Sequence, residues 1–135
     1  MNIKLISAEE TWKLRHEVLW PDMPFDFIKL PEDSDGYHFG GYKDDMLVSV
    51  VSLFQTETGI VQFRKFATKP NEQGKGYGSK LLYHLIEFAK QKGFHTLWCN
   101  ARADKTSFYE KFGMFKTQET YIKQNIKFVI LKKLL

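Results

Sequence analysis

The alternation and recurrence of apolar positions along this chain predict most of its elements. Ile3 to Ile6 reads as a first strand. Ser7, with Glu10 three residues later, is a capping-box pair that opens a helix running to about Leu19. Trp12, Leu14, Val18 and Leu19 supply that helix's apolar face, and Pro21 ends it. Pro21 to Gly36 sets Phe25, Phe27 and Ile28 among acidic residues, the pattern of a short second helix or an ordered loop. Tyr37 to Tyr42 and Leu47 to Phe54 are apolar runs joined by Lys43-Asp44-Asp45, which makes a hairpin. Gly59 to Thr68 is another strand. From Gly76 to Lys92, Leu81, Leu82, Leu85, Ile86 and Ala89 recur at helical spacing, and Gly93 is the expected stop. His95 to Ala101 is a strand, and Asp104 caps a short helix to Phe112, which Gly113 closes. Strands near Phe115 to Tyr121 and Asn125 to Lys132 complete the chain.

A length of 135 residues suits one domain spanning 1–135, with a single core. An apolar content of 43% and 27% charged residues exclude a disordered chain. No apolar run has the length of a membrane helix, and Met1-Asn2-Ile3-Lys4 has no signal-peptide core, so no membrane partner is expected. Cys99 is the only cysteine, so no internal disulfide forms, which suits a reducing cytoplasm. Its place in a predicted strand makes it a buried, inert thiol.

The formal charge of +4 is unevenly spread. Asp22, Asp26, Glu32, Asp33 and Asp35 crowd into Pro21 to Gly36 against Lys29 alone, leaving the remainder more basic. That balance suits a phosphate-bearing ligand. No Lys/Arg stripe with interleaved aromatics marks a nucleic-acid face.

The richest segment is Gln73-Gly74-Lys75-Gly76-Tyr77-Gly78-Ser79, between a predicted strand and the longest predicted helix. A glycine turn there exposes backbone N–H groups at the positive end of a helix dipole, a site for a diphosphate. Glycines remove the Cβ atoms that would hold such a ligand away. The phosphate loop G-x-x-x-x-G-K-[ST] is absent, and the dinucleotide pattern G-x-G-x-x-G fails because Gly78 falls one position early. A methyltransferase loop would match the glycines but needs a larger sheet downstream than Ser79 to Leu135 can build.

Gln73, Gly76 and Gly78, with Pro70 ahead, fit [Gln/Arg]-x-x-Gly-x-[Gly/Ala], which resembles the acetyl-CoA loop of the GNAT N-acetyltransferase superfamily. Ala101-Arg102 through Ser107-Phe108-Tyr109-Glu110-Lys111-Phe112-Gly113-Met114 resembles the family's second landmark, a strand running into a short helix. The resemblance covers Val61 to Phe115 well. It implies an α/β (mixed α+β) fold, a mostly antiparallel twisted sheet of about six to seven strands flanked by about three to four helices. It also implies an acetyl-CoA-dependent transferase that passes acetyl to a primary amine, by direct attack in a ternary complex.

By the same resemblance, Gln73, Gly74, Lys75, Gly76, Tyr77, Gly78 and Ser79 hold the diphosphate. The backbone N–H of Phe66 faces the thioester carbonyl, Phe66, Ala67 and Thr68 bind the pantetheine arm, and Tyr109 protonates the leaving thiolate. Asn100 could also bond the arm, or simply end its strand. Some members carry a glutamate four residues before the position of Phe66, but this chain has Gln62, which cannot act as a base. Among His38, Glu17, Glu57 and His16, His38 has the right intrinsic pKa for that work. The acidic segment, with Trp20, Phe25 and Phe27, offers a wall for a cationic acceptor, or else a solvated loop. The expected partner is a small-molecule or peptide amine, the chain acts as monomer or homodimer, and no metal is needed. A non-catalytic acyl-CoA-binding module on the same fold is the alternative.

Overall fold

A computed structural model describes residues 1–135. Its seven strands are β1 (Asn2–Ile6), β2 (Tyr37–Lys43), β3 (Met46–Glu57), β4 (Ile60–Thr68), β5 (Thr96–Arg102), β6 (Phe115–Lys123) and β7 (Ile126–Leu134). They form one sheet in the order β1-β2-β3-β4-β5-β7-β6. Only β4 and β5 pair in parallel, and the other neighbours are antiparallel. The helices are α1 (Ala8–Leu14), α2 (Tyr77–Gln91) and the single turn α3 (Ser107–Glu110). None is long and apolar enough to cross a membrane.

Alternation along β3 serves two layers. Val51 and Leu53 join the main core, where Leu81, Leu82, Leu85, Ile86 and Ala89 of α2 are buried. Val50, next to Val51 in sequence, packs on the opposite face with Leu14 of α1 and Ala67. Each large apolar side chain buried in this way contributes about 1.5–3 kcal/mol. Gly93, in the left-handed region at φ +87, ends α2 as expected.

The capping box at α1 forms, with Glu10 N–H donating to Ser7 Oγ at 3.3 Å and Ser7 N–H donating to Glu10 Oε1 at 3.0 Å. The helix does not run regularly to Leu19, however. It widens at Arg15–Leu19 into a π-helical turn. Arg15 is fully buried and reaches across to the acidic segment. Its guanidinium grips Asp33 bidentately, Nη1 to Oδ2 at 2.8 Å and Nη2 to Oδ1 at 2.9 Å. It also donates to Ser52 Oγ at 2.9 Å and to the Ile28 carbonyl at 3.2 Å. Pro21 to Gly36 is therefore an ordered segment with short 3-10 turns at Phe25–Ile28 and Asp33–Asp35.

Asp104 does not cap the short helix. That helix starts at Ser107, too far along for the Asp104 side chain to reach its first N–H groups, and it has no side-chain cap. Asp104 lies instead 3.7 Å from Arg102 Nε.

Burial alone would raise the Asp33 carboxyl, but hydrogen bonds from Arg15, Leu30 and Trp12 outweigh it and hold the group below its ordinary 3.8. A lowered folded-state pKa gives stability that is present above the unfolded value and lost as pH falls through the folded one. Asp33→Asn should cost about 3–5 kcal/mol in urea unfolding at pH 7, because it strands a buried guanidinium. The mutant should also lose less stability than wild type on acidification below about pH 4. A cost under about 1 kcal/mol at pH 7 would show that the pair does not hold the segment.

Candidate active site

β4 and β5 are in register only over Ile60–Thr96, Val61–Leu97 and Gln62–Trp98. Beyond those pairs the strands part. β4 also bulges there: Val50 pairs with Ala67 and Ser52 with Arg64, so Lys65 and Phe66 together oppose Val51. At the open end lies a cavity of about 570 Å³. Phe66, Ala67 and Thr68 line it from β4, Phe108 and Tyr109 from α3, and the Gln73–Ser79 turn from above.

The turn is built to be empty of side chains. Gly74 at φ +77 and Gly76 at φ +87 are left-handed, with open space where a Cβ would stand. Gly78 lets the helix start approach β4, since a Cβ there would sit 3.3 Å from Phe66 Cζ. From Gly74 to Ser79 the backbone N–H groups find no acceptor in the protein, whereas Gln73 N–H bonds the Pro70 carbonyl at 3.3 Å. These N–H groups and the α2 dipole can receive an anion. The Gln73 side chain donates to the Thr68 carbonyl at 3.0 Å and ties the turn to the strand end.

Of the residues singled out from the sequence, Phe66, Ala67, Thr68, Gln73, Gly74, Gly76, Tyr77, Gly78, Ser79 and Tyr109 share this cavity. Three do not. Lys75 turns away to Glu72, 3.3 Å from its Oε2. Asn100 sits exposed on β5, opposite Ile130. His38 is buried on β2, with Nδ1 2.7 Å from Ser52 Oγ and Nε2 2.8 Å from the Asp33 carbonyl. Both ring nitrogens are thus committed, which leaves His38 no free nitrogen to act as a base. Val18, Leu19 and Glu72 also line the cavity and were not singled out. The π-turn that carries Val18 and Leu19 there begins at Arg15, whose buried partners no local pattern announces.

The profile described as the Acetyltransferase (GNAT) family matches residues 5–114. The chain belongs to the GNAT family of N-acetyltransferases. A Bacillus subtilis protein described as the uncharacterized N-acetyltransferase YitI is 29% identical over 129 residues, covering 90% of this chain and 87% of that one. The crystal structure of a provisionally assigned N-acetyltransferase from Lactobacillus plantarum superposes with TM-score 0.86 at 24% identity, covering 100% of this chain and 99% of the other. A GNAT acetyltransferase from Elizabethkingia anophelis, crystallised with acetyl-CoA bound, gives TM-score 0.79 at 17% identity over 99% and 97% of the two chains. At these identities the two crystal structures speak for the fold.

Charge in this acetyltransferase is arranged around the turn. Burial would raise Glu72, yet hydrogen bonds and attraction from Lys75 and Lys43 prevail and hold it below its ordinary value. A carboxylate beneath an anion-receiving turn is in this way neutralised by its own lysines. Tyr109 lies against Phe63 and Phe108, with ring centroids 5.8 and 5.2 Å away. Burial, with a smaller contribution from Cys99, pushes its phenol up to about 12. Burial also pushes the Cys99 thiol from 9.0 to about 12.

Raised folded-state values give stability that is complete below the unfolded pKa and lost as pH rises through the folded one. Unfolding free energy should therefore fall above about pH 9, by about 1.4 kcal/mol per pH unit for each group released. Cys99→Ala should delay the onset to about pH 10, where the ordinary tyrosine value lies. An unchanged alkaline profile in that variant would mean Cys99 is not held protonated by burial.

Proposed function

We propose that this chain moves acetyl from acetyl-CoA to a primary amine by direct attack within a ternary complex. The observation that carries the reading is the single cavity shared by the bulged end of β4, the glycine turn with its unsatisfied N–H groups, and Tyr109. The thioester supplies an acetyl group activated for transfer. Backbone N–H groups from Gly74 to Ser79 hold the diphosphate, and Ala67 and Thr68 run beside the pantetheine arm. The Phe66 N–H, at the bulge, donates to the carbonyl oxygen as the amine nitrogen bonds to the carbonyl carbon. As the carbon–sulfur bond breaks, the Tyr109 hydroxyl donates to the departing sulfur. The amine proton leaves through solvent, since Gln62 stands where some relatives have a glutamate and His38 is committed elsewhere. Phe66 and Phe108, with ring centroids 6.1 Å apart, stand beside the acyl group in this reading. The reading takes the chain as one cytoplasmic domain, active as monomer or homodimer.

Acetyl-CoA at about a hundred times its dissociation constant should add about 2.7 kcal/mol of stability, a rise of several degrees in melting temperature. NAD and S-adenosylmethionine should leave it unmoved. In Gly74→Asp the new carboxylate faces the diphosphate from a left-handed position, and the shift should vanish while the fold persists. An unmoved wild-type melting temperature would refute the cofactor assignment.

Tyr109→Phe should reduce kcat by about ten- to a hundredfold, the worth of one hydrogen bond to a charged group, with acetyl-CoA affinity nearly intact. Full activity in that variant, measured by thiol release, would remove Tyr109 from the reaction.

A further inference from the structure

Val61 and Phe63 of β4 belong to the main core, so Gln62 and Arg64, which alternate with them, face the other side of the sheet. There they line a second cavity of about 520 Å³, together with Glu32, Asp35 and Glu57. Gln62 is only 8% exposed, yet its side-chain amide makes no hydrogen bond in the protein. A buried polar group without a partner is costly, and one on a cavity wall points to a ligand that completes it.

The wall is acidic. Glu32 is paired with Arg64, the one cation that lines the cavity. Asp35 and Glu57 are exposed and enter no ion pair. Three carboxylates against one guanidinium leave two negative charges in excess. An adjoining groove shares Glu57 and adds Glu119 and Lys132, one charge of each sign, so the excess stands. Lys65, the next residue along β4, lines neither this cavity nor the one at the glycine turn.

The cavity also reaches the parting of the strands. Gln62 makes the last pair between β4 and β5, with Trp98, and past it no β4–β5 ladder separates the two cavities. Phe66 stands two residues beyond Arg64 and four beyond Gln62 on the same strand, about 7 and 13 Å along it.

We propose that this second cavity receives the acceptor, and that the acceptor is an elongated amine with a second positive charge, an aliphatic diamine or polyamine. Its far ammonium sits against Asp35 and Glu57, the Gln62 amide oxygen accepts one of its N–H groups, and its near nitrogen reaches the carbonyl beside Phe66. The inference rests on the acetyl-transfer reading above. Excess negative charge attracts a dication and repels an amine that carries a carboxylate. A monoamine leaves nothing charged in the cavity once its nitrogen is at the carbonyl.

The test is thiol release from saturating acetyl-CoA with matched acceptors. The arms are butylamine against butanediamine, hexylamine against hexanediamine, octylamine against octanediamine, and aminohexanoate as the anionic amine. Hexanediamine or octanediamine should exceed its monoamine by at least about tenfold in kcat/KM, the scale of one charge pair, with aminohexanoate below both. In the double variant Asp35→Asn, Glu57→Gln that advantage should collapse toward unity through a rise in KM for the diamine. Binding is read separately, by calorimetry of octanediamine with protein saturated in CoA, which has no acetyl group to transfer. Gln62→Leu, which fills the same place without an amide, should weaken that binding. Equal use of monoamines and diamines, an advantage confined to butanediamine, or aminohexanoate as best acceptor would each overturn the proposal. So would equal losses on both acceptors in the double variant, no turnover of any diamine, or octanediamine binding that Gln62→Leu leaves unchanged. The wild-type melting shift with acetyl-CoA separates the failures. Without the shift the transfer reading falls and takes this one with it, whereas a shift with no diamine advantage sinks this inference alone.

Discussion

Everything about the site depends on the parting of β4 and β5. Two neighbouring strands that pair in register at Ile60–Thr96 through Gln62–Trp98 and then separate leave ladder groups unsatisfied in the middle of a sheet. That is costly unless an extended ligand supplies the missing partner, as a strand added to an edge would. The same divergence opens the mouth under which α2 begins, and Gly78 allows its first turn to close on Phe66. The bulge at Lys65 and Phe66 adds to it by breaking the β3–β4 ladder where the cavity ends. A sheet kept paired throughout would have no interior cleft, and the glycine turn would face only solvent.

A second constraint is electrostatic. Asp33 and Glu72 are both nearly buried, and each is matched by cations: Arg15, eighteen residues away, for the first, and Lys43 with the neighbouring Lys75 for the second. Pairs of this kind add little net stability but are expensive to break, so they fix which segments lie together. Arg15 ties the acidic segment to α1 and β3, and the π-turn that begins with it brings Val18 and Leu19 to the cavity wall. Of the acidic residues that could wall a cationic acceptor, Asp33 is turned inward and Asp26 and Glu32 are paired, while Asp22 and Asp35 stay exposed.

The features legible in the sequence are those whose cause is local. The capping box, the period of Leu81 to Ala89, the helix stop at Gly93 and the glycine turn each need only a few consecutive residues, and the second landmark around Tyr109 is as compact. What escaped the sequence depends on partners and burial that no short pattern carries. Arg15 finds Asp33 eighteen residues away and Ser52 thirty-seven away, and no helical pattern announces either. His38 looked available because its partners come from β3 and the acidic segment. Lys75 looked like a phosphate ligand because Glu72, three residues earlier, gave no sign of being buried beneath it. The bulge is invisible for the same reason: register belongs to two strands, and β4 alone does not say that Lys65 and Phe66 share one partner.

The chemistry that emerges depends on position more than on acid–base strength. A phenol near 12 cannot hand its proton to a thiolate at equilibrium without cost. Against an ordinary thiol the gap is about 3 units, or about 4 kcal/mol. In the proposed reaction Tyr109 therefore stabilises the sulfur by hydrogen bonding while charge develops, and solvent completes the protonation. The burial that makes it a poor acid also keeps it a dependable donor at every physiological pH, and the dry aromatic surroundings of Phe63 and Phe108 strengthen that bond. No strong base and no strong acid is then required of the protein. In the proposed reaction a fixed N–H at the carbonyl and a fixed O–H at the sulfur suffice, because an amine held against a thioester is already a competent nucleophile once it has lost its proton.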